Sequence, residues 1–156
     1  MTRALAPAAT LMLLLSAAQA WAVEPLVGRW LLKTQEVGGQ QTDADQLTLR
    51  IVQRGEAFEF GYSLPVNNIQ FVSMSFASHL DGAEADVKNS QGEKIGTVKI
   101  SKAGGLLYKV VLAGPNRPTA NGTMEVSSDG KTLNCDSDVT LPGKGPTHTH
   151  QVFLRQ

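Results

Sequence analysis

From Val27 onward, apolar and polar residues alternate with a period of two in short runs, and turn-forming residues separate the runs. In an extended chain that period sends successive side chains to opposite faces, so each run predicts a β-strand. GRWLLKTQEV, residues 28–37, places Trp30, Leu32 and Thr34 on one face and Leu31, Lys33 and Gln35 on the other. QLTLRIVQ, residues 46–53, sets Leu47, Leu49 and Ile51 against Thr48 and Arg50. After Arg54-Gly55, the run EAFEFGYSLP brings Phe58, Phe60, Tyr62 and Leu64 into register. Two runs joined by a tight glycine turn predict a hairpin. NIQFVSMSFASHL, residues 68–80, is less regular, because Val72, Met74 and Phe76 have the opposite parity to Phe71. It reads as a strand that is apolar on both sides or contains a bulge.

The second half keeps the rhythm, with runs at 83–89, 94–101, 105–112, 119–127, 131–140 and 145–156. Eight to ten strands joined by connections short enough for neighbouring antiparallel pairs predict an all-β fold. The expected architecture is an antiparallel up-and-down β-barrel, since closure removes exposed strand edges. A two-sheet β-sandwich is the alternative. No linker, low-complexity stretch or internal repeat divides the chain, so residues 23–156 are expected to form a single domain.

The first 22 residues break the pattern. One cation at Arg3, an apolar run from Leu11 to Leu15, and small residues before possible cuts after Ala20 or Ala22 form the three-part pattern of a signal peptide. The run is too short to span a bilayer, no cysteine follows it, and its alanine-rich make-up looks bacterial. The mature protein is therefore expected in the periplasm or secreted. The chain carries 14 basic and 14 acidic side chains without a basic cluster, which argues against nucleic acid and anionic membrane surfaces as partners. A membrane barrel needs aromatic girdles on strands of about 9–11 residues. Here aromatics are 6% of the chain, which ends in Arg155-Gln156, so no membrane span is expected. Cys135 is the sole cysteine; sharing a strand face with Leu133, it reads as a small core residue rather than a reactive thiol.

The two ends of the chain matter together. LVGRW (26–30) opens the first strand with Gly-x-Trp, and VFLRQ (152–156) places an arginine at the end of the last. This resembles the calycin superfamily, which includes lipocalins, fatty-acid-binding proteins and avidins. The resemblance implies a lipocalin-like barrel in which Gly28 admits the turn into the barrel, Trp30 plugs its floor and Arg155 lies over the Trp30 ring. The Thr-Asp-Tyr turn motif of lipocalins is not present, and GGQQTDAD between the first two long strands is too short for a helical lid.

The closing segment GPTHTHQVFLRQ also raises a chemical question. His148, His150, Val152 and Leu154 share one face, and Thr149, Gln151, Phe153 and Arg155 share the other. The apolar residues alone leave the inward face open, whereas the lipocalin picture favours Phe153 and Arg155 facing in. A His-x-His pair supplies two metal ligands, and a site needs three or four; His79, with Asp81 or Asp136, is the candidate to complete it. Asp136 and Asp138 share a strand face and read as exposed acids. Neither a nucleophile elbow nor a phosphate-binding loop is present, so no catalytic residue is assigned and no cofactor is expected.

Three functional readings follow. The leading one is a non-enzymatic protein that binds a small apolar ligand inside the barrel, with Phe58, Phe60, Tyr62, Tyr108, Val110 and Leu112 as candidate lining residues. The second is a protein-interaction module, such as an inhibitor of a secreted hydrolase, acting through loops such as LPGKGPTH (141–148). The third is a metal-binding protein built on His148 and His150. An eight-stranded barrel is just wide enough for side chains or one small ligand, so a filled and an open interior both remain on the table.

Overall fold

Every alternating run becomes a strand. The computed structural model describes residues 23–42, 46–67, 69–115 and 117–156, and of residues 70 and 71 the backbone only; the segment expected to be a signal peptide lies outside these residues. The long strands are β1 (Gly28–Val37), β3 (Thr48–Arg54), β4 (Ala57–Val66), β5 (Ile69–Ser78), β6 (Asp81–Asn89), β7 (Lys94–Gly104), β8 (Leu107–Ala113), β9 (Thr119–Val126), β10 (Thr132–Thr140) and β11 (Pro146–Arg155). A three-residue strand, β2 (Gln40–Thr42), folds back on β1 around Gly38-Gly39. Each long strand pairs antiparallel with its neighbours, and β11 returns to pair with β1. The result is a closed ten-stranded antiparallel barrel of up-and-down topology. It is the lipocalin-like calycin architecture, and the sandwich alternative is set aside because the sheet closes on itself.

Two irregularities shape the wall. Between Leu32 and Thr34 the register of β1 against β11 slips by one residue: Leu32 faces Phe153, whereas Gln35 faces Gln151. A bulge of this kind reverses which residues point inward, so Gln35, not Thr34, joins the interior beyond Trp30 and Leu32. A second slip, opposite Tyr62 and Ser63, lies in the β4–β5 pair, where the mixed parity of residues 68–80 suggests one. Further along, β5 and β6 pair only at Met74–Asn89 and Ser75–Lys88 and then diverge. An outer crease of about 850 Å³ runs over β3–β5 to this gap, and Arg50, Glu59, Asp86 and Lys88 wet its walls.

One end of the barrel is sealed. Leu26, Trp30, Leu49, Ile51, Phe60, Tyr108, Leu133 and Phe153 are buried there and along the lower wall. The Arg155 guanidinium lies 4.1 Å from the Trp30 ring. Its Nε donates to the Gly130 carbonyl at 2.5 Å, Nη1 to Val27 at 2.7 Å and Nη2 to Pro25 at 2.6 Å. Trp30 Nε1 in turn donates to the Leu26 carbonyl at 3.0 Å. One side chain of the last strand thus holds the chain entering the first strand and the β9–β10 turn. Gly28 is needed because a Cβ there would sit 2.4 Å from Arg155 Nη1, and an arginine bound at three points has little room to move aside.

Beside this staple, Tyr108 donates its hydroxyl to Glu24, and Lys102 Nζ reaches the same carboxylate at 2.7 Å. Burial pushes the Glu24 carboxyl up, but the hydrogen bonds from Lys102 and Tyr108, with the Lys102 charge, outweigh it and hold the group below its ordinary value of 4.5. Burial first, and then the Glu24 carboxylate, push the Tyr108 hydroxyl above its usual range.

Two expectations follow for stability. Arg155→Met should destabilise the fold by about 2 kcal/mol, since three part-buried carbonyls lose a charged donor. Arg155→Lys should recover little of this, because an ammonium cannot reproduce the planar fork; urea unfolding of the purified variants checks both. The depressed Glu24 value means that its contribution is complete above pH 4.5 and is lost as pH falls through the lower folded value. Glu24→Gln should therefore lower stability at neutral pH and flatten its decline below pH 4.5, as measured by thermal melts across that range.

Candidate functional site

Beyond the sealed end the barrel is hollow. A cavity of about 510 Å³ lies between its walls and opens to solvent. Tyr62 and Phe76 come from the β4–β5 pair, and Phe76 stacks on Phe60 with ring centroids 4.7 Å apart. Met74, Val98, Val110, Leu112 and Met124 continue the apolar wall, while Cys135, Ser137, Val139, Thr149 and Gln151 line the side formed by β10 and β11. The alternation dictates this face: β10 pairs Leu133 with Phe153, Cys135 with Gln151 and Ser137 with Thr149, and paired residues of an antiparallel ladder point the same way.

Four polar side chains of the cavity are paired with one another. Gln151 Nε2 donates to Gln35 Oε1 at 2.7 Å, the contact that the β1 bulge makes possible. Ser137 Oγ and Thr149 Oγ1 are 2.8 Å apart, and Thr149 Oγ1 also donates to the Ser137 carbonyl at 3.1 Å. At Gly122, opposite Ser137, a Cβ would fall 2.1 Å from the Asp136 carbonyl oxygen and 2.5 Å from the Ser137 Cβ. Only glycine permits this approach of β9 to β10. Burial, with a smaller contribution from the Asp136 charge, pushes the Cys135 thiol up to about 12. Burial likewise raises the Tyr62 hydroxyl.

The six lining candidates divide in two. Tyr62, Val110 and Leu112 face the cavity. Phe58, Phe60 and Tyr108 are buried in the core, and Tyr108 turns its hydroxyl toward Glu24 at the sealed end; they fill the lower barrel rather than bound its hollow. Gly28, Trp30 and Arg155 sit together as the resemblance implies. Phe76, Met74, Met124, Gln35 and the inward residues of β10 and β11 were not among the candidates. Once Phe153 and Arg155 are assigned inward, alternation alone reaches Thr149, Gln151, Cys135 and Ser137. Gln35 is hidden from such reasoning by the bulge.

The histidines lie outside the barrel wall. His150 Nδ1 is 2.6 Å from Asp136 Oδ1, and His148 Nδ1 is 3.1 Å from Asp138 Oδ1. His148 Nε2 approaches Asp136 Oδ1 at 3.8 Å. These are cross-strand imidazole–carboxylate pairs on the exposed face of β10 and β11. His79 contacts the Glu56 carbonyl beside the β3–β4 turn, at the opposite end of the barrel, and does not join them. Among the described residues no group of three or more His, Cys, Asp or Glu side chains is gathered that could hold a metal ion.

The fold and the cavity together define a calycin-like barrel with an open interior. Among solved structures, the chain is similar to the crystal structure of zebrafish ileal bile acid-binding protein complexed with cholic acid, with a TM-score of 0.56 and 21% sequence identity, covering 85% of this chain and 99% of that one. At that identity the likeness is one of fold. No family model matches the chain, and no curated protein is matched by it.

The placement of Cys135 has a measurable consequence. With a value of about 12, only roughly one thiol in 10⁴ is ionised at pH 8, and the thiolate is the reactive form. Cys135 should react with a disulfide reagent at pH 8 at least a hundredfold more slowly in the folded than in the urea-unfolded protein, as followed by reagent absorbance.

Proposed function

We propose that the protein binds one small, predominantly apolar molecule inside the barrel, without catalysis. The observation that carries this reading is the solvent-connected cavity of about 510 Å³, within the roughly 300–1,000 Å³ usual for small-molecule sites. Its walls combine aromatic, methionine and aliphatic side chains with a few amides and hydroxyls. Burial of apolar ligand surface supplies affinity at about 25 cal/mol per Å², and the polar groups set orientation. Tyr62, Val110 and Leu112 remain the lining residues proposed from the sequence, now joined by Met74, Phe76 and Met124. The fold-level likeness to a protein solved with cholic acid supports the same reading.

The rim of the barrel is consistent with the uptake of such a ligand. The β4–β5 hairpin exposes Leu64, Val66, Ile69 and Val72, and no charged residue occurs between Phe60 and Ser78. An apolar solute approaching there strips no charged group of its water. With the signal-like leader, the reading places the binding step in the periplasm or outside the cell.

Titration with an environment-sensitive apolar dye should show saturable, one-to-one fluorescence enhancement. Val110→Trp and Leu112→Trp, which fill the hollow from β8, should each weaken dye binding at least tenfold while leaving the β-sheet circular dichroism intact. Undiminished binding in both variants would place the dye elsewhere and refute a barrel site.

A further inference from the structure

We infer that the ligand is electrically neutral: an alcohol, ketone, quinone-like or ester compound of mainly hydrocarbon character, rather than a carboxylate or other anion. This rests on the reading that the cavity is the binding site, and it follows from what the cavity offers. Among the described residues that line it, none is Asp, Glu, Lys, Arg or His. The titratable groups present, Tyr62 and Cys135, are both pushed toward their neutral forms by burial. Every remaining polar group is an amide, a hydroxyl or backbone.

The chain's charges are instead spent elsewhere. Arg155 is bound to three carbonyls beneath the floor, and Lys102 is matched to Glu24 at the same end. Asp136 and Asp138 point outward to His150 and His148. Arg50 and Lys88 border the outer crease, which touches the cavity at Phe76; another cation near the hollow is Arg117, which borders a small side pocket of about 200 Å³ that shares Met74 and Leu112 with the main cavity. It is exposed at the rim, where water competes for any anion. A carboxylate carried into the cavity would lose its hydration and find no counter-charge, which is costly unless the group protonates.

Neutral polar groups are well served by the same wall. Gln35 and Gln151 form one hydrogen-bonded pair, and Ser137 and Thr149 form another one strand over. Amides and hydroxyls both donate and accept, so this side of the cavity accommodates a ligand hydroxyl or carbonyl. The facing wall of Met74, Phe76 and Val98 takes the hydrocarbon. The geometry thus orients an amphiphilic neutral molecule, with its oxygen toward β1, β10 and β11 and its apolar body toward β4, β5 and β7.

A matched pair tests this on the full mature protein. Dodecan-1-ol and dodecanoate share a chain and differ in the charge of the head, and each is titrated at pH 8 against the protein-bound apolar dye. The alcohol should displace the dye with an affinity at least tenfold higher than the carboxylate, and the apparent affinity for dodecanoate should rise as pH falls toward 5 and the acid protonates. Arg117→Gln should leave the alcohol's affinity unchanged within twofold and should not alter the preference. Equal or tighter binding of dodecanoate at pH 8 overturns the inference. If Arg117→Gln abolishes that binding, Arg117 is the counter-charge. If the dye binds in the cavity but neither compound displaces it, a neutral chain-like ligand is excluded and the inference falls while cavity binding stands. Absence of dye binding defeats the underlying reading, and the inference with it.

Discussion

The barrel depends on the contact between the two ends of the chain. Arg155 stacks on Trp30 and donates to carbonyls at Pro25, Val27 and Gly130. A ten-stranded sheet closes only if its first and last strands meet in a single register, and meanders held by short local turns do not specify that meeting. A planar guanidinium with several fixed donors specifies position and angle together. It ties the chain leading into β1, the β9–β10 turn and the end of β11 into one layer, and in doing so seals one mouth of the barrel.

That seal sets the character of the other half. Large side chains, namely Trp30, Phe60 and Tyr108, are concentrated toward the floor, and the upper interior carries smaller or more flexible ones such as Val110, Leu112, Ala120 and Met124. The same alternation that packs the bottom therefore leaves the top hollow. Polar residues are tolerated in the hollow because they pair across neighbouring strands, Gln35 with Gln151 and Ser137 with Thr149. Ionised groups are kept in the floor staple, where each has a partner, or on the outer wall and rim. This segregation follows from the cost of burying an unpaired charge.

Much of the wall was legible from the sequence. The strand runs and the glycine-turned hairpin from β3 to β4 follow from local periodicity and turn chemistry, and the joint role of Gly28, Trp30 and Arg155 is what the resemblance to calycins implies. The candidate site was legible only in part. Tyr62, Val110 and Leu112 line the cavity, but Phe58, Phe60 and Tyr108 lie on the same inward faces of the same strands and are buried below it. A period of two distinguishes inside from outside and carries no information about height within the barrel. The histidine pair illustrates the converse: its spacing on β11 suggested ligands, yet the face it occupies turns outward and His79 lies at the far end.

The sequence by itself therefore determined the strands and their antiparallel order, because these depend on local alternation and turn chemistry, while the closing residues were named only through the resemblance to calycins. Only the tertiary structure decided which inward residues meet empty space and which meet one another. The bulge after Leu32 changes the facing of Gln35 through a pairing with β11 more than a hundred residues away in the chain, and the partial separation of β5 and β6 depends on how ten twisted strands share one circumference. Closure is a global constraint, and its remainder, a neutral hollow above a charged and sealed floor, appears in no single stretch of sequence.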